Sequence, residues 1–331
     1  MRMRTLWLMV LAAVTAASVL ASMAIGEVLV RTELLPIDSV TFTQQEFLTG
    51  STGGRPVRIA GQLTIPRAPG QVSAIPPKPA VVMLHGASGI RSNTVRWASE
   101  LNGLGIAVLT VDSFGGRGVT ETSSSFGLAN ENLIVDAYRA LALLGRHPFI
   151  DHDHIAVMGF SKGGFAALYA GLQRFQRLHG APDLTFAAHV ALYPSCQWRY
   201  LDDERTTKRP IRVFHGEADD WTPIEDCRKY VERLQKAGND VALVAYPGAY
   251  HVFDSHLAPP KLWLPTVLRG PTCDLRERAD GVVIAGDTGQ PFSLTHPCVQ
   301  RGATIGYNPD AHRRALADVT TFLRAVLLPR N

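Results

Sequence analysis

What most constrains this chain is a series of short apolar runs that alternate with stretches of helical periodicity. The runs lie at residues 80–84, 106–111, 155–158, 187–193, 211–214 and 241–246, and helical patterns fall at 94–104, 131–144 and 164–178. Buried strands separated by helices predict a mainly parallel central sheet with helices on both faces. Two β-rich stretches, 40–48 and 57–65, precede the series and flank Gly50-Ser51-Thr52-Gly53-Gly54, which predicts an initial hairpin. The rhythm breaks at 255–307, a Pro- and Gly-punctuated stretch with an expected hairpin around Gly286-Asp287-Thr288-Gly289, and resumes in a final helix at 309–327. The expectation is one α/β domain over 26–331 with a late insertion at about 255–307.

Residues 1–25 are different material. Arg2 and Arg4 precede an uncharged run rich in Leu, Ala, Val and Ser, which exits through Ser22-Met23-Ala24. A basic start, an apolar stretch and a small-residue exit describe a signal peptide. Uncut, residues 6–25 would be a membrane anchor, since about 20 apolar residues span a bilayer. The expected location is therefore outside the cytoplasm, periplasmic or secreted. With 46% hydrophobic and 19% charged residues and a net charge of +4, the chain is too apolar for disorder and too weakly charged for a dedicated nucleic-acid binder. The four cysteines are an even number without C-x-x-C spacing, as disulfides in an exported chain require. Cys196 follows the run at 187–193 and Cys227 follows the next loop, near the ends of neighbouring strands. Cys273 and Cys298 bracket the insertion's hairpin. The expected pairs are Cys196–Cys227 and Cys273–Cys298.

The chemistry-bearing motif is Gly159-Phe160-Ser161-Lys162-Gly163, directly after the run at 155–158 and opening a helical stretch. That strand–turn–helix context is what a nucleophile elbow needs: small residues permit a strained turn that lifts the serine hydroxyl above the sheet. The helix N-terminus lends positive charge where an oxyanion forms. An acid and a base must follow in chain order. His215-Gly216-Glu217-Ala218-Asp219-Asp220-Trp221-Thr222-Pro223 offers Asp219 and Asp220, with Glu217 less favoured. Tyr246-Pro247-Gly248-Ala249-Tyr250-His251-Val252-Phe253 offers His251, with His256 the runner-up. The loop Leu84-His85-Gly86-Ala87-Ser88-Gly89 would supply the second oxyanion donor, Ala87 N–H, beside that of Lys162. His85 and His215 read as turn or packing residues, and Asp151-His152-Asp153-His154 as a loop whose alternate residues diverge. The Gly-rich loop lacks phosphate-binding spacing. No metal or cofactor is implied.

Together, His85-Gly86-Ala87-Ser88-Gly89, Asp112-Ser113-Phe114-Gly115-Gly116-Arg117-Gly118, Gly159-Phe160-Ser161-Lys162-Gly163-Gly164, the Asp219 segment and Tyr246 to Phe253 resemble the dienelactone hydrolase family of α/β-hydrolases. The resemblance implies an α/β-hydrolase fold and a triad whose acid is the Asp of a D-x-x-x-P run. Asp219 with Pro223 fits that run and Asp220 does not; the base carries over to His251. The family's nucleophile is a cysteine where this chain has Ser161, and its oxyanion loop carries a glutamate where this chain has His85-Gly86. For the family's substrate-binding arginines, Arg117 is the candidate near a motif. Trp263, Leu264 and Phe292 of the insertion are expected to line an apolar substrate pocket. The function expected is a serine hydrolase of small-molecule carboxylic esters. A peptidase or thioesterase on the same triad, or a non-catalytic binding protein of this fold, are the alternatives.

Overall fold

The structure, a computed structural model, describes residues 28–68, 76–125 and 127–328; the expected leader at 1–25 lies outside them. In chain order come β1 (Leu29–Thr41), α1 (Gln44–Thr49), β2 (Arg55–Arg67), β3 (Lys78–Leu84), α2 (Ser92–Gly103), β4 (Ala107–Asp112) and α3 (Glu131–Leu144). Next are β5 (Ile150–Phe160), α4 (Lys162–Tyr169), α5 (Gln173–His179), β6 (His189–Leu192), β7 (Trp198–Arg199), β8 (Ile211–Gly216), α6 (Ile224–Lys236) and β9 (Val241–Tyr246). The segment 255–307 holds β10 (Leu262–Arg269), β11 (Leu275–Glu277), β12 (Val283–Ala285) and β13 (Gln300–Ile305), and α7 (Pro309–Leu327) follows.

Eight strands form the central sheet in the order β1-β2-β4-β3-β5-β6-β8-β9. The pairs β1–β2 and β2–β4 are antiparallel and all other neighbours in this sheet pair parallel. Strand periodicity then divides the core between two faces. Ala80, Val82 and Leu84 of β3 pack with α3, α4, α5 and α6, whereas Val81 and Met83 pack with Trp97 and Leu101 of α2 and Val319 and Leu323 of α7. This is why the central runs read as apolar throughout rather than alternating. Among the described residues no helix is long and apolar enough to cross a membrane.

Two expectations change in detail. Residues 44–49 are helical, not β: Thr43 Oγ1 accepts from Glu46 N–H (3.2 Å) and Glu46 Oε2 accepts from Thr43 N–H (2.7 Å), a reciprocal cap that starts α1. The antiparallel pair is instead built from 29–41 and 55–67. The helix expected at 164–178 breaks between α4 and α5, because Gln173 N–H donates to Arg205 O and Gly171 O accepts from Thr207 N–H. The insertion makes the expected turn at 286–289, where Ile284 bridges antiparallel to Pro291 and Ala285 N–H donates to Gln290 O (2.9 Å), and a second hairpin joins β11 and β12 through 278–282.

The disulfides are Cys196–Cys227 and Cys273–Cys298, the pairing expected from the sequence. The first ties the segment after β6 to α6. The second closes the insertion around the β11–β12 hairpin, and β11 adds parallel to β7. Two disulfides suit an oxidising compartment.

His189, at the start of β6, is buried; its Nδ1 donates to Ala167 O at 2.9 Å and its Nε2 has no partner. Burial pushes its pKa down to about 4. The unfolded chain therefore takes up this proton first, near the ordinary value of about 6.5. The contribution to stability is fully present above pH about 6.5 and is lost as pH falls towards 4, at up to about 1.4 kcal/mol per pH unit. Urea unfolding at pH 7, 5.5 and 4.5 should show this decline, and it should be shallower in His189→Asn; equal slopes in both proteins would assign the acid lability elsewhere.

Candidate active site

The site begins with the turn between β5 and α4. Ser161 sits at φ 53°, ψ −112°, in a region that side-chain-bearing residues rarely adopt. It is held there by Ser161 N–H donating to Leu192 O (2.9 Å) and Ser161 O accepting from Phe165 N–H (2.7 Å). The flanking glycines are required by close approach. A Cβ on Gly159 would lie 2.1 Å from Gly163 O, and one on Gly163 would lie 2.3 Å from Leu84 O.

Two loops at the carboxyl ends of β8 and β9 deliver the partners. His251 Nε2 is 2.8 Å from Ser161 Oγ, and His251 Nδ1 is 2.7 Å from Asp219 Oδ2. Asp219 Oδ1 accepts from the backbone N–H of Trp221 (2.9 Å) and Thr222 (3.0 Å), and the Thr222 hydroxyl donates to Oδ2 (3.1 Å). Asp219 and His251 are 5% and 1% exposed. Burial works against the Asp219 charge, yet His251, His215 and the Thr222 N–H together hold its carboxyl below the usual range. An anionic Asp219 fixes the Nδ1–H tautomer of His251, leaving Nε2 free to accept the serine proton.

The loop bearing Ala87 is held by a buried neutral imidazole. His85 Nδ1 donates to Gly86 O (2.8 Å) and Nε2 accepts from Ser113 N–H (3.2 Å), while burial lowers its pKa. Thr122 N–H also donates to Ala87 O at 2.8 Å. Lys162 opens α4, so its N–H lacks an intrahelical partner. Its side chain is buried and donates to Leu128 O at 2.5 Å; burial pushes its pKa down to about 8, opposed by Glu131.

Two lobes meet at Ser161, and Ala87 and Trp221 border both. A narrow one is walled by Phe165, Trp198, Trp221 and Phe292. A wider one is bordered by Gly86, Asn93, Tyr193, His251 and Ile305. The structure thus brings together Ser161, Asp219, His251, Ala87, Lys162 and Phe292. Asp220 is turned away: its carboxylate accepts from Thr304 N–H (2.7 Å) and Thr304 Oγ1 (2.9 Å), pinning β13. His256 lies in a separate depression with Arg96 and Glu100.

Two sequence-based assignments are corrected. Arg117 is not a substrate ligand, because its guanidinium is spent inside the protein. It pairs with both Asp136 oxygens (2.8 and 2.9 Å) and donates to Thr41 Oγ1, Ser113 O and Val40 O. Trp263, 50% exposed on β10, lies over Gly302 of β13 and not in either lobe; Leu264 beside it lines neither. Sequence reasoning missed Trp221, whose ring centre is 4.9 Å from that of His251, and Tyr193 at 4.8 Å. It also missed Asp254, buried and accepting from Trp97 Nε1 (2.8 Å) and Tyr193 OH (2.7 Å). The signal for Trp221 was its place two residues after Asp219, inside the run already singled out.

The sheet, the strained turn on β5 and the order of the loops define an α/β-hydrolase. More narrowly, the model of the dienelactone hydrolase family matches residues 67–327, and the chain belongs to that family of hydrolases. A dienelactone hydrolase-like promiscuous phosphotriesterase from metagenomic libraries superposes with a TM-score of 0.56 at 18% identity, over 89% of this chain and 98% of that one. Esterase 2 of Thermogutta terrifontis gives 0.51 at 19%, over 82% and 91%. Both likenesses concern the fold. By sequence, the "Acyl-protein thioesterase 1" of Gibberella zeae is 34% identical over 30% of this chain and 41% of its own length. The "Probable dipeptidyl-aminopeptidase B" of Talaromyces marneffei is 25% identical over 59% of this chain and 25% of its own. The chain therefore spans well under half the length of these curated relatives.

Breaking the buried Arg117–Asp136 pair should leave an uncompensated charge, costing about 3–5 kcal/mol. Arg117→Ala should show that loss in urea unfolding at pH 7. A loss below about 1 kcal/mol would return Arg117 to the list of substrate ligands.

Proposed function

We propose that this protein is an exported serine hydrolase that cleaves small-molecule carboxylic esters through an acyl-enzyme. The observation that carries this reading is the hydrogen-bonded line from Ser161 Oγ through His251 to Asp219, with Ser161 on a strained turn. Ser161 Oγ attacks the ester carbonyl as its proton passes to His251 Nε2, and Asp219 stabilises the imidazolium. The oxyanion is held by the N–H groups of Lys162 and Ala87, at the N-terminus of α4. Collapse expels the alkoxide, which takes the proton from Nε2 and leaves as the alcohol. Water then repeats the sequence on the acyl-serine and frees the acid. The two disulfides support an oxidising compartment and so the export reading.

Some sequence relatives carry peptidase names, which makes an amide substrate the second reading. A dipeptidyl aminopeptidase must hold its substrate's ammonium group, for which carboxylates serve. Among the described residues lining the two lobes none is Asp or Glu, which favours esters.

Ser161→Ala and His251→Ala should each lower kcat/KM for ester hydrolysis by roughly 10³ or more. A fluorophosphonate probe should label the wild type and not Ser161→Ala. A wild type that neither takes the label nor cleaves any ester would instead be a binding protein that has this fold.

A further inference from the structure

The two lobes differ in which reacting groups they can reach, and that asymmetry assigns the halves of the substrate. In the tetrahedral intermediate the former carbonyl carbon bears Ser161 Oγ, the oxyanion, the departing alkoxide oxygen and the acyl substituent. The oxyanion lies between the N–H groups of Ala87 and Lys162. The departing oxygen must lie within hydrogen-bond reach of His251 Nε2, which returns the proton. His251 borders the wide lobe and not the narrow one, whereas Lys162 and Phe165 of α4 border only the narrow one. With three of the four positions so filled, the acyl substituent points away from His251, into the narrow lobe.

The chemistry of that lobe restricts the acyl group further. Phe165 and Trp198 meet edge to face with ring centres 5.9 Å apart, and both are buried. Trp221 and Phe292 complete the wall. The lobe they line together with Thr122, Asn130, Gln197 and Arg269, among others, has a volume of about 100 Å³, against about 280 Å³ for the wide lobe. A small slot walled by four aromatic side chains suits a planar ring, which gains stacked and edge contacts on several sides. A flexible alkyl chain of similar size would make fewer such contacts and lose rotational freedom. The walls are also fixed in place. Trp221 Nε1 donates to Leu268 O (3.0 Å), Trp198 lies on β7, and Cys273 at the lobe's edge is disulfide-bonded to Cys298.

We propose that this hydrolase is selective for esters of aromatic carboxylic acids, with the planar acyl group seated between Phe165, Trp198, Trp221 and Phe292 and the alcohol leaving through the wide lobe beside His251. The assignment rests on the serine-esterase reading and specifies its substrate class.

The test uses two ester series, followed by acid release. Ethyl acetate, hexanoate, benzoate and cinnamate vary the acid; ethyl and benzyl acetate vary the alcohol. The wild type should prefer an aromatic ethyl ester over the hexanoate by about tenfold or more in kcat/KM. Phe292→Ala should lower that preference by about tenfold, with the benzyl-to-ethyl ratio of the acetates keeping its wild-type value. Ala258→Trp, which fills the wide lobe, should lower the benzyl-to-ethyl ratio and spare the acyl preference. A wild type that favours hexanoate overturns the aromatic assignment. A Phe292→Ala that changes the alcohol ratio and not the acyl preference reverses the two lobes. In either case a Ser161 that still takes the fluorophosphonate label leaves the serine-hydrolase reading standing, whereas no label and no turnover of any ester would sink both together.

Discussion

The rest of this structure depends on backbone-to-backbone contact at the turn after β5. Gly159 lies against Gly163, Gly163 against the carbonyls of Leu84 and His85, and Gly164 against Leu192 O. These contacts bring α4 down onto the ends of β3, β5 and β6 with no side chain between. Ser161 is thereby raised above the sheet edge in a conformation of high intrinsic energy, at a cost of order 1–3 kcal/mol. The compensating interactions are those of the sheet itself, since Ser161 N–H completes the β6 pairing through Leu192 O. The hydroxyl is thus placed by the rigid core and not by a mobile loop.

Three buried acidic groups around this turn are held by defined partners. Arg117 with Asp136 joins α3 to β1 and to the end of β4. Glu131 accepts from Gln44 Nε2 and Tyr200 OH while facing Lys162. Asp254 gathers Trp97 and Tyr193 beneath the His251 loop. Such groups cost desolvation and contribute more to fixing one arrangement than to net stability. Arg117 reaches the loop of Ala87 through Ser113 and His85, Glu131 acts on Lys162 at the start of α4 directly, and Asp254 reaches the His251 ring through Tyr193.

The segment at 255–307 belongs to the site by contact. Gly306 N–H donates to His251 O, Ile305 bridges to His251, and Thr304 holds Asp220. Its β11 extends β7, which carries Trp198 of the narrow lobe, and both disulfides brace this region. The segment therefore supplies a wall through Leu268, Cys273 and Phe292, while its exposed face carries Trp263.

Much of this was legible in the chain. Continuous apolar runs determine a sheet covered on both faces because both strand faces must be dry. A glycine-flanked serine between strand and helix determines the elbow, because only glycine tolerates the contacts the turn imposes. His251 and the disulfide pairing were legible because each lies near a strand end or brackets a local hairpin, where sequence position and space coincide, whereas position left Asp219 and Asp220 open and the resemblance to the family's D-x-x-x-P run chose Asp219. Tertiary structure decided what depends on distant partners. Arg117 looked available until Asp136, 19 positions on, took its guanidinium, and Trp263 looked like pocket lining until β10 turned it outward over Gly302. Residues 44–49 show the reverse case, a short-range cap that outweighed β propensity and was visible in Thr43 and Glu46. Which lobe each side chain faces is set by how the loops of β6, β8 and β9 and the insertion converge over Ser161, and no local pattern encodes that convergence.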